Sequence, residues 1–330
     1  MSDASVRALE AYVRLTNTAA ISHIVRASLE TGVVDALRDS QKTLPEIAER
    51  TQFPTQRLQL LLEALTAIGV IEQYGDTYAL AQVGHLVPVE LADLGDRYWR
   101  HLNRWIVEGM SIPENDESNL DEFDYLRERH ASEWLQTPAA MFLAKFLGFG
   151  DQRKGLHLLD IGCGSAVLSL TAAFQDPTCR VTAFDQPFGL ERAREMVESI
   201  QLGDRIKLVE DTSGSFELPA GEFDMAVLGN VLHYLPADKV ESLIQRAAQV
   251  IKPGGELVVV DVFPGQAKGT LNRTLFELQL ALRYPEGEMH TRESLTQWIE
   301  AAGFEPPIFE PLDAPPWLFG VLVAKRPTAK

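Results

Sequence analysis

A glycine-punctuated stretch, HLLDIGCGSAVLSL at residues 157–170, carries the first residues with recognisable chemistry. Gly162 and Gly164 permit a tight turn and let a ligand approach the backbone closely. The turn opens a predicted helix, whose first N–H groups favour an anionic group. A dinucleotide fingerprint needs a third glycine where this chain has Val167, and no P-loop lysine follows. A carboxylate therefore suits this turn better than a pyrophosphate.

Two acidic residues follow later apolar runs of the chain. Asp185 closes the segment RVTAFD, and Asp211 lies in VEDTSGSF. An acid at the end of the second strand commonly accepts hydrogen bonds from ribose hydroxyls. Asp211 follows the third predicted strand, where an adenine edge could reach it. Ribose, adenine and a carboxylate together describe S-adenosylmethionine, which also carries a transferable methyl group. The glycine turn and the two acids, followed by a KPGG turn, therefore predict a site for this cofactor.

Alternating strand-like and helix-like segments begin at about residue 156, and these elements must position the chemical groups. The strand-like segments are LHLLDI, RVTAFD, RIKLVE, FDMAVLG and GELVVVDV, with a late strand in PPWLFGVLVAKR. Helices fit between them around residues 166–175, 188–201, 237–251 and 292–302. Apolar strands joined by helices predict a parallel sheet covered on both faces. Ligands of such sheets bind at the carboxyl ends of the strands, where the glycine turn lies.

The N-terminal part of the chain shows a different order of elements. Residues 19–37 carry apolar side chains at helical spacing, and Thr43 to Glu46 form a capping box that opens a short helix. A second helix is predicted from about Thr55 to Ile68, and VIEQYGDTYAL predicts a hairpin. Helix, short helix, helix and hairpin is the order of a winged helix-turn-helix.

A winged helix raises DNA binding as one possible function. The segment that would read DNA, TQRLQLLLEALTAI, has one arginine and one glutamate, whereas a groove reader needs a basic face. The 330-residue chain has a formal net charge of −17, which repels nucleic acids and anionic membranes. We therefore expect no nucleic-acid or membrane partner. We expect the apolar N-terminal helices to be buried against a second subunit, giving a homodimer.

Composition bears on compartment and on metals. No apolar run approaches the roughly 20 residues of a membrane helix, and the first residues lack a secretory apolar segment. The two cysteines, Cys163 and Cys179, cannot form a cysteine-rich zinc site, and the histidines show no metal-ligand spacing. The sequence therefore predicts a cytoplasmic protein without a metal.

The region between the winged helix and the sheet is predicted to be helical and rich in aromatic residues. Within it lies an acidic stretch with a proline, SIPENDESNLDEFDY at residues 111–125. This stretch is either a solvated loop or a mobile lid over a pocket, and the sequence leaves both possibilities open.

These motifs resemble the class I, S-adenosylmethionine-dependent small-molecule O-methyltransferases that carry an N-terminal winged-helix dimerisation domain. The matching segments, in family order, are LETGVVDAL, LPEIAERT, LLLEALTAIGVIEQYGDTYALAQVGHLV, DIGCGSA, AFDQP, NVLHYL, IKPGGELVVVD and LTQWIEAAGF. The resemblance implies an α/β fold, with a Rossmann-like class I methyltransferase sheet and a mainly helical winged-helix domain. It implies a dimerisation domain at 1–95, a helical linker contributing to the pocket at 96–150, and a cofactor-binding catalytic domain at 151–330.

The resemblance also implies cofactor-binding positions. These are Asp160, Gly162, Cys163, Gly164, Asp185, Gln186, Asp211, Thr212 and Asn230. The glycines would line the methionine end of the cofactor, and Asp185 would hold the ribose. Asp211 and Thr212 would meet the adenine, and Asn230 would lie beside the cofactor at the end of the fourth strand. S-adenosylhomocysteine would be the product.

His233, in NVLHYL, occupies the position of the family's catalytic base. An imidazole suits the removal of a phenolic or enolic proton near neutral pH, although a histidine at a strand end can also be purely structural. Plant-type members have an aspartate where this chain has Tyr234 and a glutamate where it has Met289. The carboxylate that orients the histidine is therefore missing from both expected positions.

Substrate-facing positions are implied less sharply. They are Trp134, Phe142, Phe276, Gln279, Met289 and His290. His290 could contact substrate, replace the missing orienting carboxylate, or lie at the surface. The expected function is O-methylation of a small aromatic or polyketide-like hydroxyl group. The alternatives are C- or N-methylation, a non-methylating reaction on the same fold, and a DNA-binding regulator.

Overall fold

The structure is a computed structural model that describes residues 3–87, 96–110, 112, 122–211, 218–264, 271–314 and 317–328. For residues 122–132, 134, 313, 314, 317 and 318 it describes the backbone alone. The chain divides into two compact units, Met1–Arg97 and Tyr98–Lys330. No helix within the described ranges combines the length and the apolar composition that crossing a bilayer requires.

The first unit is mainly helical. Its elements are α1 (Asp3–Glu30), β1 (Lys42–Thr43), α2 (Leu44–Thr51), α3 (Thr55–Ile68), β2 (Ile71–Tyr74), β3 (Thr77–Leu80) and α4 (Gln82–Leu86). The predicted capping box opens α2, since the Thr43 N–H donates to Glu46 Oε2 at 2.7 Å. The predicted hairpin pairs β2 with β3, and β1 adds to β3 on its other side. The winged-helix order expected from the sequence is therefore present.

The second unit contains the large sheet. Its helices are α5 (Asp96–Trp99, which begins at the end of the first unit), α6 (Leu102–Glu108), α7 (Glu122–Phe146), α8 (Val167–Gln175), α9 (Pro187–Ser199), α10 (Ala237–Val250), α11 (Leu271–Arg283) and α12 (Arg292–Ala301). Its strands are β4 (His157–Ile161), β5 (Arg180–Asp185), β6 (Ile206–Glu210), β7 (Phe223–Gly229), β8 (Ile251–Val262), β9 (Ile308–Ala314) and β10 (Trp317–Lys325).

The strands form one sheet in the order β6-β5-β4-β7-β8-β10-β9. The five strands from β6 to β8 are parallel, whereas β10 runs antiparallel to both β8 and β9. The sheet is therefore mixed, with β9 as an edge strand that the sequence patterns do not predict. The chain leaves β4 toward β5 and β6 and then returns to pair β7 on the other side of β4. Ligands of open α/β sheets bind at such a reversal point.

Apolar layers on both faces hold this sheet. Leu158 and Leu159 are adjacent in β4 but belong to different buried clusters, because successive side chains of a strand point to opposite faces. One cluster includes residues of α7, α8 and α9, and the other includes residues of α10 and α12. Burial on both faces explains why these strands are nearly continuous apolar runs in the sequence.

Candidate active site

The carboxyl ends of four neighbouring strands bring the predicted residues to one edge of the sheet. Gly162 follows β4, Asp185 ends β5, and Asn230 follows β7. Asp261 is the penultimate residue of β8, the next strand along this edge. The sequence order of the motifs thus becomes a cluster in space because parallel strands end on the same side.

The glycine turn after β4 has little room for side chains. Gly162 has φ +72°, and a Cβ at this position would lie 2.5 Å from Val231 Cγ2. The N–H groups of Gly162 and Cys163 both donate to Phe184 O, at 2.8 and 3.0 Å. These bonds tie the turn to β5 and keep its backbone at the open edge of the sheet.

The Asp185 carboxylate organises the turn from the neighbouring strand. Its Oδ2 accepts from the Gly164 N–H at 2.6 Å, and its Oδ1 accepts from the Gln186 N–H at 2.7 Å. A Cβ on Gly189 would lie 2.6 Å from Oδ1, so α9 also approaches this carboxylate closely. Each carboxylate oxygen can accept more than one hydrogen bond. Asp185 can therefore hold the turn and still accept bonds from the hydroxyls of a ligand.

Asp160 lies behind the glycine turn and is buried. Ser169 Oγ, on α8, donates to Asp160 Oδ2 at 2.5 Å. Burial raises the pKa of Asp160 to about 6, against the opposing effect of the Ser169 bond, and the negative charge of Asp185 raises it further. The inner wall of the turn therefore holds a carboxyl group that titrates near neutral pH.

Three buried polar atoms around this edge have no hydrogen-bond partner among the described residues: Ser165 Oγ, Asn230 Oδ1 and His233 Nε2. Unpartnered buried polar atoms are costly, and they are common where a ligand completes the bonding. S-adenosylmethionine offers matching groups, with ammonium, carboxylate, ribose and adenine functions. The residues present thus fit the cofactor, and Ser165, adjacent to the glycine motif, is a further candidate that the sequence analysis did not select.

A small cavity adjoins Asn230 at the ends of β7 and β8. Leu168, Gly229, Asn230, Val260 and Phe319 line it, together with Gln136, Ala139 and Ala140 of α7. Asn230 has φ +56°, and its N–H donates to Val260 O at 2.7 Å. Helix α7 therefore contributes side chains beside a residue predicted to contact the cofactor.

His233 lies in a short 3₁₀ turn, Leu232–Tyr234, and is only 1% exposed. Its Nδ1 is 2.7 Å from Asp261 Oδ1, and its backbone N–H donates to Asp261 Oδ2 at 3.3 Å. An ionised carboxylate only accepts hydrogen bonds, so Nδ1 carries the proton of the neutral ring. This tautomer leaves Nε2 bare, and Nε2 is the atom without a partner. The arrangement matches that of a general base held by a carboxylate.

The carboxylate missing from positions 234 and 289 is thus supplied by a different residue. Asp261 lies inside the apolar run GELVVVDV, and the sequence analysis did not select it. Strand β8 pairs with β7 so that Val260 lies opposite Gly229, which places Asp261 beside the turn that follows β7. An acidic residue near the end of an otherwise apolar predicted strand was the available signal.

Aromatic and apolar side chains surround the His233 ring. Tyr234 lies at a centroid distance of 4.1 Å, and Phe276 of α11 contacts the ring edge-on at 5.1 Å. Phe276 and Met289 are partly buried against the same apolar cluster. One predicted substrate position, Phe276, therefore touches the histidine itself.

The remaining predicted positions that the structure describes lie on the helices around this edge of the sheet and on the segment before α12. Phe142 lies on α7 and is 42% exposed, Gln279 is half-buried on α11, and Gln186 is exposed at the start of α9. His290 is buried, with its Nε2 facing backbone carbonyls. Thr212, the side chain of Trp134 and most of the 111–125 stretch lie outside the described residues. The described residues include no cluster of three or more potential metal ligands.

Known protein families match both parts of the chain. The O-methyltransferase domain model matches residues 118–305, and the O-methyltransferase dimerisation domain model matches residues 13–88. Among curated relatives, demethylspheroidene O-methyltransferase of Rhodobacter capsulatus is 24% identical over 92% of this chain and 79% of its own length. Aclacinomycin 10-hydroxylase of Streptomyces purpurascens is 24% identical over 84% of this chain and 80% of its own length.

The same fold occurs in solved structures. Human N-acetylserotonin methyltransferase in complex with S-adenosylmethionine superposes with a TM-score of 0.76 and 20% identity, over 99% of both chains. The family model spans more than half of the chain and includes the glycine turn, both acids and His233. The chain therefore belongs to the O-methyltransferase family, as an S-adenosylmethionine-dependent methyltransferase with the family's dimerisation domain.

Proposed function

We propose that the protein transfers the methyl group of S-adenosylmethionine to a hydroxyl group of a small aromatic or polyketide-like acceptor, with His233 as general base. The observation that carries this proposal is the buried pair of His233 and Asp261, which leaves Nε2 bare and unpartnered. Family membership supports the methyl transfer, and the geometry of this pair supports the base.

The cofactor supplies a methyl group on a sulfonium, which is already a good leaving group. The chain must therefore bind and align the acceptor and remove its proton. Alignment alone supplies roughly 7–11 kcal/mol in favourable model reactions. In this proposal Gly162, Gly164 and Ser165 hold the amino-acid end of the cofactor, Asp185 holds the ribose, and Asp211 and Thr212 lie at the adenine.

The acceptor hydroxyl is proposed to donate its hydrogen bond to His233 Nε2. As the proton moves to Nε2, the ring becomes a cation whose positive charge faces the Asp261 carboxylate, 2.7 Å away at Nδ1. Phe276, which contacts the His233 ring, would offer an apolar surface to an aromatic acceptor, and Met289 is the second apolar candidate. The remaining candidates, Trp134, Phe142 and Gln279, would lie further along the acceptor.

The test uses S-adenosylmethionine with a panel of phenols, naphthols and polyketide phenols, and measures S-adenosylhomocysteine. His233→Ala should lower turnover about 10²–10⁴-fold, the usual contribution of general base catalysis. The dissociation constant for S-adenosylhomocysteine, measured by calorimetry, should change less than about twofold. His157→Ala serves as the control, because His157 lies at the opposite end of β4. Undiminished turnover in His233→Ala would remove the histidine from the mechanism.

A non-methylating reaction is the second candidate, because a relative that covers most of the chain is named a hydroxylase. The two candidates differ in stoichiometry. A methyltransferase forms one S-adenosylhomocysteine for each product, whereas a hydroxylase of this fold would leave S-adenosylmethionine intact. Mass spectrometry of the product also decides whether a transferred methyl lies on oxygen, nitrogen or carbon.

We further propose that the winged helix serves dimerisation and binds neither nucleic acid nor membranes. Helix α3, at the position of a recognition helix, has Arg57 against Glu63, and the chain carries a net charge of −17. We also propose that the domain boundaries lie at residues 95 and 150. A cytoplasmic location is part of the same proposal. A gel shift at physiological salt with mixed-sequence duplex DNA should show no complex.

A further inference from the structure

The segment from Gly287 to His290, which we call the strap, reaches the turn that carries His233. The Glu288 N–H donates to His233 O at 2.9 Å. His290 Nε2 lies 3.1 Å from Leu232 O and 3.0 Å from Leu235 O. Three carbonyl groups of the turn thus face donors from one four-residue segment.

The protonation of His290 follows from these partners. Carbonyl oxygens only accept hydrogen bonds, so His290 Nε2 must carry a proton, which the two carbonyls share. The ring is 6% exposed and lies edge-on to Trp298 of α12, with a centroid distance of 5.5 Å. The next residue, Thr291, caps α12 by accepting from the Ser294 N–H. His290 therefore lies directly before the first turn of α12, which restricts its movement relative to the turn that carries His233.

The strap can lie close to the His233 carbonyl because residue 287 is a glycine. A Cβ on Gly287 would lie 3.0 Å from His233 O and 2.9 Å from Leu280 Cδ1. A side chain at this position would push the strap away from the carbonyl of His233. The sequence thus combines a small residue at one end of the strap with a buried donor at the other.

We propose that His290 is a positioning residue for His233. The Asp261 carboxylate contacts both the imidazole ring and the backbone N–H of His233. The strap donates to the carbonyl groups of Leu232, His233 and Leu235. Together they fix the direction of Nε2. This inference rests on the proposed role of His233 as base, and it assigns His290 to the turn and not to the substrate.

The experiment reads His233 directly and needs no acceptor. Full-length protein labelled with ¹⁵N-histidine is studied by long-range ¹H–¹⁵N NMR, which distinguishes protonated from bare ring nitrogens. His290→Leu removes the donor, and His290→Gln retains an N–H donor of similar reach. Gly287→Ala should displace the strap while the side chain at position 290 stays a histidine. His157→Leu is the matched control. His157 is a partly buried histidine at the start of β4, away from the strand ends that carry the site, and its Nε2 lies 3.1 Å from Thr182 Oγ1.

In the wild-type protein, His233 should show a single tautomer with Nδ1 protonated, and His290 should show Nε2 protonated. His290→Leu and Gly287→Ala should replace the His233 signals with averaged or multiple ones, and His290→Gln should restore the single tautomer. With an acceptor from the phenol panel, kcat should fall about 10–100-fold in His290→Leu, with the KM for S-adenosylmethionine changing less than twofold.

Two results would overturn the inference. One is a His233 spectrum in folded His290→Leu and Gly287→Ala that matches the wild type. The other is an equal disturbance of His233 in His157→Leu, which would reveal general destabilisation. Failure of the base proposal is distinguishable, because it would appear as undiminished turnover in His233→Ala while the NMR result stands.

Discussion

At the scale of single residues, burial of the Asp160 carboxyl group couples folding to pH. The folded protein holds this proton up to a pKa of about 6, because burial disfavours the charge, whereas an unfolded chain releases it near pH 4. The folded state therefore binds more protons between these values. The free energy of unfolding should fall as pH rises from about 4 to 6, and the full destabilisation should be present above pH 6.

Two substitutions test this contribution in opposite directions. Asp160→Asn removes the titration and still accepts the Ser169 bond, so it should flatten the slope and stabilise the cofactor-free protein above pH 6. The gain is on the order of 2–3 kcal/mol, from about 1.4 kcal/mol per pKa unit. Ser169→Ala removes the bond that opposes the shift, so it should raise the pKa of Asp160 further and extend the loss of stability to higher pH. Urea denaturation from pH 4 to 8 measures both, and identical slopes in all three proteins would contradict the assignment.

At the scale of elements, the turn between β4 and α8 requires glycine for two reasons. Gly162 combines a left-handed φ with a Cβ position 2.5 Å from Val231. Gly162→Ala should therefore destabilise the fold by about 1–3 kcal/mol and weaken S-adenosylhomocysteine binding at least tenfold. Gly203→Ala is the control, because a Cβ there meets no atom within 4 Å. Calorimetric affinities and thermal midpoints that match in the two variants would show that the turn tolerates a side chain.

Helix α7 is held against α9 by a buried ion pair. Arg192 Nε and Nη2 donate to the two oxygens of Glu133, at 2.7 and 3.0 Å, and the Glu133 side chain is 9% exposed. This contact raises the pKa of Arg192 through its hydrogen bonds to Glu133 and fixes the helix that lines the cavity beside Asn230. Its strength should therefore affect both stability and cofactor binding.

A matched pair of substitutions measures this contact. Glu133→Gln should lower the free energy of unfolding by about 2 kcal/mol, because it removes the buried partner of Arg192 and leaves only Glu195, whose side chain is 61% exposed. Glu210→Gln breaks the pair with Arg194, whose side chains are 49% and 44% exposed, and should cost less than about 1 kcal/mol. Chemical denaturation compares them, and equal losses would mean that burial does not strengthen the Glu133 pair.

The positions of the site residues in their strands explain which of them the sequence could predict. Gly162 and Asp185 lie directly at strand ends, where local motifs and the rule for parallel sheets suffice, whereas Asn230 was selected through the family resemblance. Asp261 contacts His233 only because β7 and β8 pair in one register, and register is a long-range property. The antiparallel β9 was likewise hidden, since IFEPLDA alternates too weakly to indicate a strand.

At the scale of the whole molecule, α1 presents an apolar surface that the described residues of the first unit leave exposed. The large apolar side chains that line one groove of this helix are exposed: Val6, Leu9, Val13 and Ile21. Exposed apolar patches of this kind mark interaction surfaces. The match to the O-methyltransferase dimerisation domain begins at residue 13, inside this helix, and supports a homodimer.

Acidic substitutions on the apolar face of α1 should dissociate the dimer. Leu9 and Val13 lie one turn apart and line the same groove, so Leu9→Glu together with Val13→Glu would bury two unpaired carboxylates in a second subunit. Analytical ultracentrifugation should show a dimer for the wild type and a monomer for this variant. Ala8→Glu is the control, because Ala8 is exposed but does not line the groove, and it should remain dimeric. A dimer that survives both glutamates would place the subunit interface elsewhere on the chain.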